Sequence, residues 1–522
     1  MRLFFLSLVS FLISYHAAVN AADYDTPENL IEAYTKAVEN QDWENAEECW
    51  YPDEVEKSKR LGINYHNTPA KFDCSSPLIT LWPEISEGWI KVKIGKSEID
   101  SNFGTTDIYL ITGDDSISVS YYMFKDNERW YLISPMTALA SDWHRAQSRY
   151  TNIICSDDSM VNDYAVDALD NYIEFITGYF EIDSPKIHRL RKLKVNYYFC
   201  SRDDFMDMTG YDAHGLAYLS MDAIVTRHLP HHHELTHLLI NYALDSVPLY
   251  TLPFVQEGLA CVCGGRWGKS PEVINQLGSV ILENEFCNLD DILTQHSFNI
   301  KVGMPDITYP VASLFAGYLI DKIGMPKFKE LYLELSGTSE YVRTLSKEKV
   351  VLIIEEYCKS DFESVKAEFL EYAGQFKEVG ISVRANHSNS HLIQSIGSDS
   401  MEIDIFESDY YYDFVIKAPD DSFSGVILFS DDSSDLLEDY RSWMFEEHLP
   451  GSEYNDACYG VKFDMNECGF YDYRTNTLKA KFVSTFFPQK EYFNAENKTI
   501  RFSLKKSYLP KSIANYRITL MD

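Results

Sequence analysis

The chain has 522 residues and a formal net charge of −34, and hydrophobic residues make up 45% of it. Because domains usually hold about 100 to 200 residues, we expect roughly three folded units, each with an apolar core. A chain this acidic is a poor partner for nucleic acid or for an anionic membrane surface, so neither is expected as a ligand.

The first residues have the layout of an export signal. Arg2 precedes an apolar stretch over residues 3–13, and small residues follow up to Ala21. This pattern predicts a signal peptide over residues 1–21 and a secreted or periplasmic mature protein. The apolar stretch is shorter than the roughly 20 residues that a membrane span needs, so no integral membrane segment is expected after signal removal. An uncleaved N-terminal anchor is the alternative.

Residues 24–140 predict a helix followed by an antiparallel sheet. Thr26 and Pro27 are typical of a helix N-terminus, and residues 117–124 and 130–133 alternate as two strands with a turn between them. This order, with Arg-Trp-Tyr-Leu-Ile closing the second strand, resembles the small α+β cone domains of the SnoaL-like type. Such cones can hold a ligand, but no paired acid and base stands out here. We therefore favour a packing or partner-docking role.

Residues 148–375 form the predicted central unit. A short apolar strand near Tyr150 precedes a helix over residues 161–180, and a strand over 194–200 ends in an acidic turn at 201–204. A strand-like run at 215–225 leads into a histidine-rich segment. Helices are expected from there to about residue 375, one of them spanning 310–323 and closed by Gly324.

Residues 380–522 differ from the central unit in their sequence pattern. A polar link at 386–390 is followed by short alternating strands, such as 401–406 and 500–504. The pattern predicts a β-sandwich. By analogy at the level of the fold alone, a sandwich appended to an exported enzyme could bind a glycan or a surface partner.

The most informative motif is His-Glu-Leu-Thr-His at residues 233–237. On a helix, positions i and i+4 share one face, so His233 and His237 can point at one metal ion with Glu234 beside them. Glu257 follows His237 by 20 residues, which leaves room for a loop and a second helix that returns a carboxylate to the imidazoles. Two histidines and one carboxylate leave a fourth position open, as a catalytic zinc site requires.

With the Glu-Gly-Leu-Ala at 257–260 and the Tyr-Pro-Val-Ala-Ser-Leu-Phe at 309–315, the motif resembles the gluzincin metallopeptidases, the thermolysin-like clan, and most closely their short peptidase-MA-like branch. The resemblance covers about residues 150–375. It implies Zn²⁺ bound by His233, His237 and Glu257, with Glu234 as general base and proton shuttle. The predicted fold class is thus α+β multidomain: an N-terminal cone, a central zincin domain with a mixed sheet and helices, and a C-terminal β-sandwich.

Four further residues are candidates for the site. Tyr309 begins a helix where the resembled family tends to carry a tyrosine, so it could stabilise the oxyanion, and a plain core tyrosine is the equal alternative. His228 and His231 could fill that role or touch the substrate. Asn241 lies one turn beyond His237 and could orient a ligand, or simply occupy the helix surface.

The expected substrate is a polypeptide. The run at 215–225 lies where such enzymes place an edge strand that pairs with an extended substrate. Because the chain lacks the Gly-x-Met-Glu-Asn segment of aminopeptidase relatives, an endopeptidase is preferred. Two rival functions remain open: a catalytically silent zinc-domain adaptor, and a surface-binding or glycan-binding protein that acts through the C-terminal sandwich.

Overall fold

The structure is a computed structural model, and it describes most of the chain up to residue 376 and separate strands beyond. The described residues are 24–59, 78, 81–113, 115–158, 161–244, 250–266, 270–301, 305–337, 339–376, 391–397, 402–407, 411–417, 424–431, 459–464, 468–472, 477–483, 493–494, 499–506 and 516–521. The predicted signal peptide over 1–21 and the polar link at 386–390 lie outside these residues.

The N-terminal unit consists of short helices and one antiparallel sheet. Its helices are α1 (Pro27–Glu39), α2 (Trp43–Glu48), α3 (Pro52–Lys59) and α4 (Trp82–Ser86), and its strands β1 (Lys91–Asp100), β2 (Phe103–Thr112), β3 (Asp115–Asp126) and β4 (Arg129–Ile133) pair in that order. The Thr26 side chain caps α1 by accepting from the Asn29 amide, and Pro27 is at its first turn, as predicted. The apolar face of α1 is buried and packs against β1 and β2. The predicted order of helix and then antiparallel sheet is confirmed.

The central unit is built on a mixed sheet of order β5-β6-β7-β9-β8. Its strands are β5 (His144–Gln147), β6 (Thr151–Cys155), β7 (Val195–Phe199), β8 (Gly215–Tyr218) and β9 (Ala223–Thr226). The three inner strands run parallel, and β5 and β8 pair antiparallel at the two edges. The connecting helices are α5 (Pro135–Leu139), α6 (Asp163–Tyr179), α7 (Ser184–Leu193) and α8 (Arg202–Thr209). The predicted strands near Tyr150 and at 194–200, with a helix between them, are confirmed.

Two local predictions in this unit were wrong. The run at 215–225 is a hairpin rather than one strand, because Leu219–Met221 forms a 3₁₀ turn and Asp222 adopts a left-handed φ of 49°. The acidic segment at 201–204 begins α8 rather than forming a turn. Ser201 accepts from the Asp204 amide while the Asp204 side chain accepts from the Ser201 amide, which is a capping box.

Helices follow to residue 374, as predicted. They are α9 (His232–Ala243), α10 (Pro253–Gly264), α11 (Pro271–Glu283), α12 (Gln295–Lys301), α13 (Pro305–Glu334), α14 (Ser339–Thr344), α15 (Lys347–Cys358) and α16 (Phe362–Gly374). Helix α13 starts five residues before the predicted start at 310. Gly324 interrupts it with φ 79° and ψ 154°, values that an L side chain rarely adopts, so the predicted break is confirmed.

The C-terminal region consists of two antiparallel five-stranded sheets within the described residues. One has the order β10-β11-β12-β18-β17 and the other β16-β15-β14-β13-β19. The strands are β10 (His391–Gly397), β11 (Glu402–Glu407), β12 (Tyr411–Lys417), β13 (Ser424–Asp431), β14 (Tyr459–Asp464), β15 (Cys468–Asp472), β16 (Thr477–Val483), β17 (Phe493–Asn494), β18 (Thr499–Lys505) and β19 (Tyr516–Met521). The chain is therefore a mixed α and β protein with several sheets, compatible with the α+β multidomain prediction. Among the described helices, none combines the length and the apolar character that crossing a bilayer requires.

A buried carboxylate joins helix α3 to the start of helix α5. Glu54 on α3 is 1% exposed and accepts hydrogen bonds from the Ser134 amide and hydroxyl, both at 2.9 Å, and from the Thr137 hydroxyl. Ser134 is the N-cap of α5. Glu54→Ala leaves these buried donors without their acceptor, a cost of about 3 kcal/mol. We expect the apparent melting temperature to fall by roughly 5–10 °C.

The exposed Glu56 on the same helix supplies the matched control for this stability prediction. Glu56→Ala should change the melting temperature little, because exposed substitutions usually stay within about 0.5 kcal/mol. Thermal unfolding followed by circular dichroism measures both variants. Equal melting temperatures for the two would show that the Glu54 contacts do not stabilise the fold.

Candidate metal centre

Two helices bring the predicted metal ligands together. Helix α9 carries His233 and His237 one turn apart, and both are buried. Their ring centroids are 4.9 Å apart, with the ring planes at 86°. Helix α10 begins at Pro253, packs against α9 and carries Glu257. The second helix thus returns a carboxylate to the imidazoles, as the 20-residue spacing predicts.

The three donor residues lie close enough together to share one metal ion. Glu257 Oε2 lies 3.1 Å from His233 Nε2 and 3.4 Å from His237 Nε2, and the ligand atoms of the three residues all lie within 4.8 Å of one another. Ligands at about 2.0–2.2 Å in a tetrahedron are separated from one another by about 3.3–3.6 Å. The donor set of two imidazoles and a carboxylate and its spacing therefore fit Zn²⁺ with one position left over.

A backbone carbonyl determines which nitrogen His233 presents. His233 Nδ1 lies 3.0 Å from the Gly265 carbonyl oxygen, which can only accept, so Nδ1 holds the proton and Nε2 presents its lone pair. A Cβ on Gly264 would lie 2.5 Å from the His233 amide nitrogen. Glycine at 264 therefore allows the end of α10 to approach the start of α9 closely enough for this contact.

Helix α6 holds α9 from the other side. The Tyr172 ring stacks on His232 with centroids 4.1 Å apart, and its hydroxyl lies 2.5 Å from Thr236 Oγ1. His232 and Thr236 thus pack away from the metal ligands, on the face that meets α6. This contact fixes the rotation of α9, and with it the direction in which His233 and His237 point.

Burial and charge shift the pKa values of all three candidate ligands. Burial lowers the pKa of His233, so this imidazole is neutral at neutral pH. Burial also acts to lower the pKa of His237, but the Glu257 carboxylate outweighs it and the net shift is upward. Burial acts to raise the pKa of Glu257, yet the two imidazoles hold it well below its ordinary value. The carboxylate is therefore ionised at neutral pH and attracts a cation.

Glu234 lies between the metal ligands and the edge strand of the sheet. Its side chain is 12% exposed, and its Oε1 lies 4.0 Å from His231 Nε2. A Cβ on Gly215 would lie 2.8 Å from Glu234 Cγ and 2.4 Å from His231 Nδ1. The backbone of β8 therefore passes directly against the proposed general base, and a side chain at 215 would not fit there.

The structure places the other predicted residues at different distances from the ligands. His231 Nδ1 lies 2.7 Å from Thr226 Oγ1, and burial lowers the pKa of His231 well below its ordinary value. His228 packs edge-on against His231 at 5.4 Å. Asn241 donates to the backbone carbonyl of His237 at 2.8 Å. His231 is thus next to Glu234, His228 is one ring farther away, and Asn241 hydrogen-bonds to the backbone of its own helix.

His214 extends this histidine group. Its Nδ1 lies 3.2 Å from His228 Nε2, and the two rings stack with centroids 5.3 Å apart. The sequence alone does not indicate this contact, because His214 is 14 residues from His228 and the β8–β9 hairpin brings the two together.

Arg266 is the second residue that the sequence analysis missed. Its Nη1 lies 3.1 Å from His233 Nε2 and 3.7 Å from Glu257 Oε2. Its Cζ lies 3.5 Å from the centre of the Tyr309 ring. The only sequence signal for this residue is an arginine directly after the two glycines at the end of α10. Burial raises the pKa of Tyr309, so its hydroxyl stays protonated.

The chain was also compared with known proteins. No protein family matches it, and no curated protein matches it either. Arguments about function therefore depend on the residues and their geometry. Among the residues that the structure describes, His233, His237 and Glu257 are the ones that come together as a metal-ligating group.

Proposed function

We propose that the chain is an exported, zinc-dependent metallopeptidase of the gluzincin type that hydrolyses peptide bonds. The observation that carries the proposal is the convergence of His233, His237 and Glu257 within 4.8 Å, with Glu234 next to the first histidine on the same helix. A structural zinc site would be closed by four protein ligands, whereas three come together here among the residues that the structure describes. The layout of residues 1–21 supports export.

Each residue of the site has a defined task in this proposal. His233, His237 and Glu257 hold the metal. When bound, zinc supplies a Lewis acid that makes water acidic near neutral pH and polarises a carbonyl group. Glu234 accepts a proton from the attacking water at a carboxylate oxygen and passes it to the leaving amine. The Gly265 carbonyl keeps the His233 ring in the required tautomer and orientation.

The edge strand supports a polypeptide substrate. Strand β8 is at the end of its sheet and lies against Glu234 and His231. An extended peptide that pairs with an edge strand is held by backbone hydrogen bonds, which places the scissile bond without strong side-chain selection. This arrangement favours an endopeptidase with loose specificity.

The flanking regions have supporting roles in the proposal. Residues 24–140 serve as a SnoaL-like docking unit, and residues 380–522 serve as a β-sandwich for a surface or glycan partner. Helix α3 packs against the Leu219–Met221 turn of the β8–β9 hairpin, which favours docking of the N-terminal unit beside the site. The helix-and-sheet order and the two antiparallel sheets support these assignments.

Metal analysis joined to peptide cleavage tests the proposed function. The purified mature chain is expected to hold about one zinc per molecule and to cut a mixed peptide pool, with the products read by mass spectrometry. A chelator should abolish cleavage, and added zinc should restore it. If zinc binds and no peptide is cut, the silent adaptor is the correct function. If no zinc binds, the proposal fails entirely.

A further inference from the structure

We infer that Arg266 is a catalytic residue of this site: its guanidinium donates to the substrate carbonyl oxygen as negative charge develops there. Tyr309 is then a positioning residue, and its ring, not its hydroxyl, is what the reaction needs. The inference rests on the proposed peptidase function and deepens it, since Arg266 replaces Tyr309 as the group that stabilises the oxyanion.

The position of Arg266 is the first argument. Its Nη1 lies 3.1 Å from His233 Nε2, so its N–H groups reach the space that the three ligands face. His233 Nε2 has one lone pair, because the Nδ1 proton is committed to the Gly265 carbonyl. If a metal were held at Nε2, that lone pair would be used in the coordination bond, and the N–H groups of Arg266 would be left to donate to an oxygen in the same space.

The surroundings of Arg266 are the second argument. Its side chain is 23% exposed and lies 3.7 Å from Glu257 Oε2. Arginine stays charged under all conditions that proteins meet, and its planar fork carries five donors and no acceptor. A fixed donor in a site that excludes most water stabilises a developing negative charge far better than water does. A neutral tyrosine hydroxyl supplies one donor and no charge.

The contact with Tyr309 is the third argument. The guanidinium carbon lies 3.5 Å from the ring centre, so the cation rests on the ring face. Phe298 packs against the same ring at 5.5 Å and 67°, which holds the ring in place. A cation over an aromatic face is attracted by the ring itself, and phenylalanine provides that face as well. Tyr309 thus fixes where the guanidinium can point.

Five variants distinguish a role of the Tyr309 ring from a role of its hydroxyl. Arg266→Ala and Tyr309→Leu should each lower kcat about 10²–10³-fold with little change in KM, the loss seen when one oxyanion donor is removed. Tyr309→Phe keeps the ring and should lose only about two- to fivefold, since the cation–ring contact is slightly weaker. The double variant Arg266→Ala/Tyr309→Leu should be no worse than either single one. Arg266→Lys should recover part of the rate, because it keeps the charge but not the fork.

Two binding measurements keep the inference testable without turnover. The affinity of the zinc-loaded protein for a phosphinic peptide, a tetrahedral anion, should fall about 10²-fold or more in Arg266→Ala and far less in Tyr309→Phe. Zinc affinity should stay equal or rise in Arg266→Ala, because the guanidinium no longer donates a hydrogen bond to the His233 Nε2 lone pair. Loss of zinc from Arg266→Ala would overturn the inference, since Arg266 would then hold the fold of the site.

The remaining outcomes are also decisive. A 10²-fold loss in Tyr309→Phe beside a small loss in Arg266→Ala would make the Tyr309 hydroxyl the donor and overturn the inference. If the wild type binds zinc and cuts no peptide, the proposed function fails, while the phosphinic peptide affinities still decide the role of Arg266. If the wild type binds no zinc, both fail together.

Discussion

Glu234→Gln is expected to abolish peptide cleavage while zinc content stays at the wild-type level. Glutamine has nearly the same shape as glutamate but cannot accept the proton of the attacking water. General acid–base groups contribute about 10²–10⁴ to the rate, and Glu234 acts at both the attack and the departure step, so we expect a loss near the upper end. The measurement is kcat/KM on a peptide that the wild type cleaves, with zinc determined on the same samples.

The structure makes Glu234→Gln a clean substitution. Glu234 does not contribute an atom to the metal-ligating group, and glutamine keeps the same carbon skeleton beside the backbone of Gly215. Glu272→Gln, at an exposed site near the start of α11, is a matched control that removes one charge elsewhere. Wild-type cleavage by Glu234→Gln would mean that another group takes the proton, and the proposed mechanism would be wrong.

The part of the site that was predicted from sequence depends on local geometry. His233 and His237 share a face because a helix repeats every 3.6 residues, so their convergence needs no tertiary information. Glu257 required one more assumption, a helix that folds back, and the apolar residues around it made that assumption reasonable. The structure brings these three side chains together as expected.

The residues that were missed depend on the fold as a whole. Arg266 reaches the ligands only because Gly264 lets α10 end against α9, and no periodic pattern marks that approach. His214 meets His228 because residues 215–225 form a hairpin, whereas the sequence predicts one strand-like run there. The apolar residues of this run fit either a hairpin or a single strand. The two structures differ at Asp222, whose backbone has a left-handed φ in the hairpin.

The element boundaries show the same division between local and tertiary causes. The Thr26 cap and the break at Gly324 follow from the backbone preferences of single residues, and both are present. The capping box at Ser201 is also a local signal, but the acidic residues after it predict a turn as readily as a helix start. Charge at a helix start is favourable because it interacts with the free amide groups there, so the composition fits both structures.

Glu257→Gln is expected to remove zinc and cleavage together, unlike Glu234→Gln. If the roughly 10–16 kcal/mol with which proteins bind structural zinc is shared among four ligands, one ligand is worth about 3 kcal/mol, which is more than a hundredfold in affinity. Removing Glu257 should lower zinc affinity more than removing a neutral ligand would, because Glu257 also contributes a negative charge. The two imidazoles keep its carboxylate ionised. Zinc titration against a competing chelator measures the change in affinity.

The two glutamine variants control for each other, since each removes one carboxylate from the same buried site. Excess zinc should restore part of the cleavage by Glu257→Gln, because its general base is intact, and should restore none in Glu234→Gln. If excess zinc rescues neither variant, Glu257 has a role beyond binding the metal. If Glu257→Gln keeps full zinc affinity, the three-residue group is not the metal site, and the distances among its donor atoms then reflect only an ordinary buried ion pair between one carboxylate and two imidazoles.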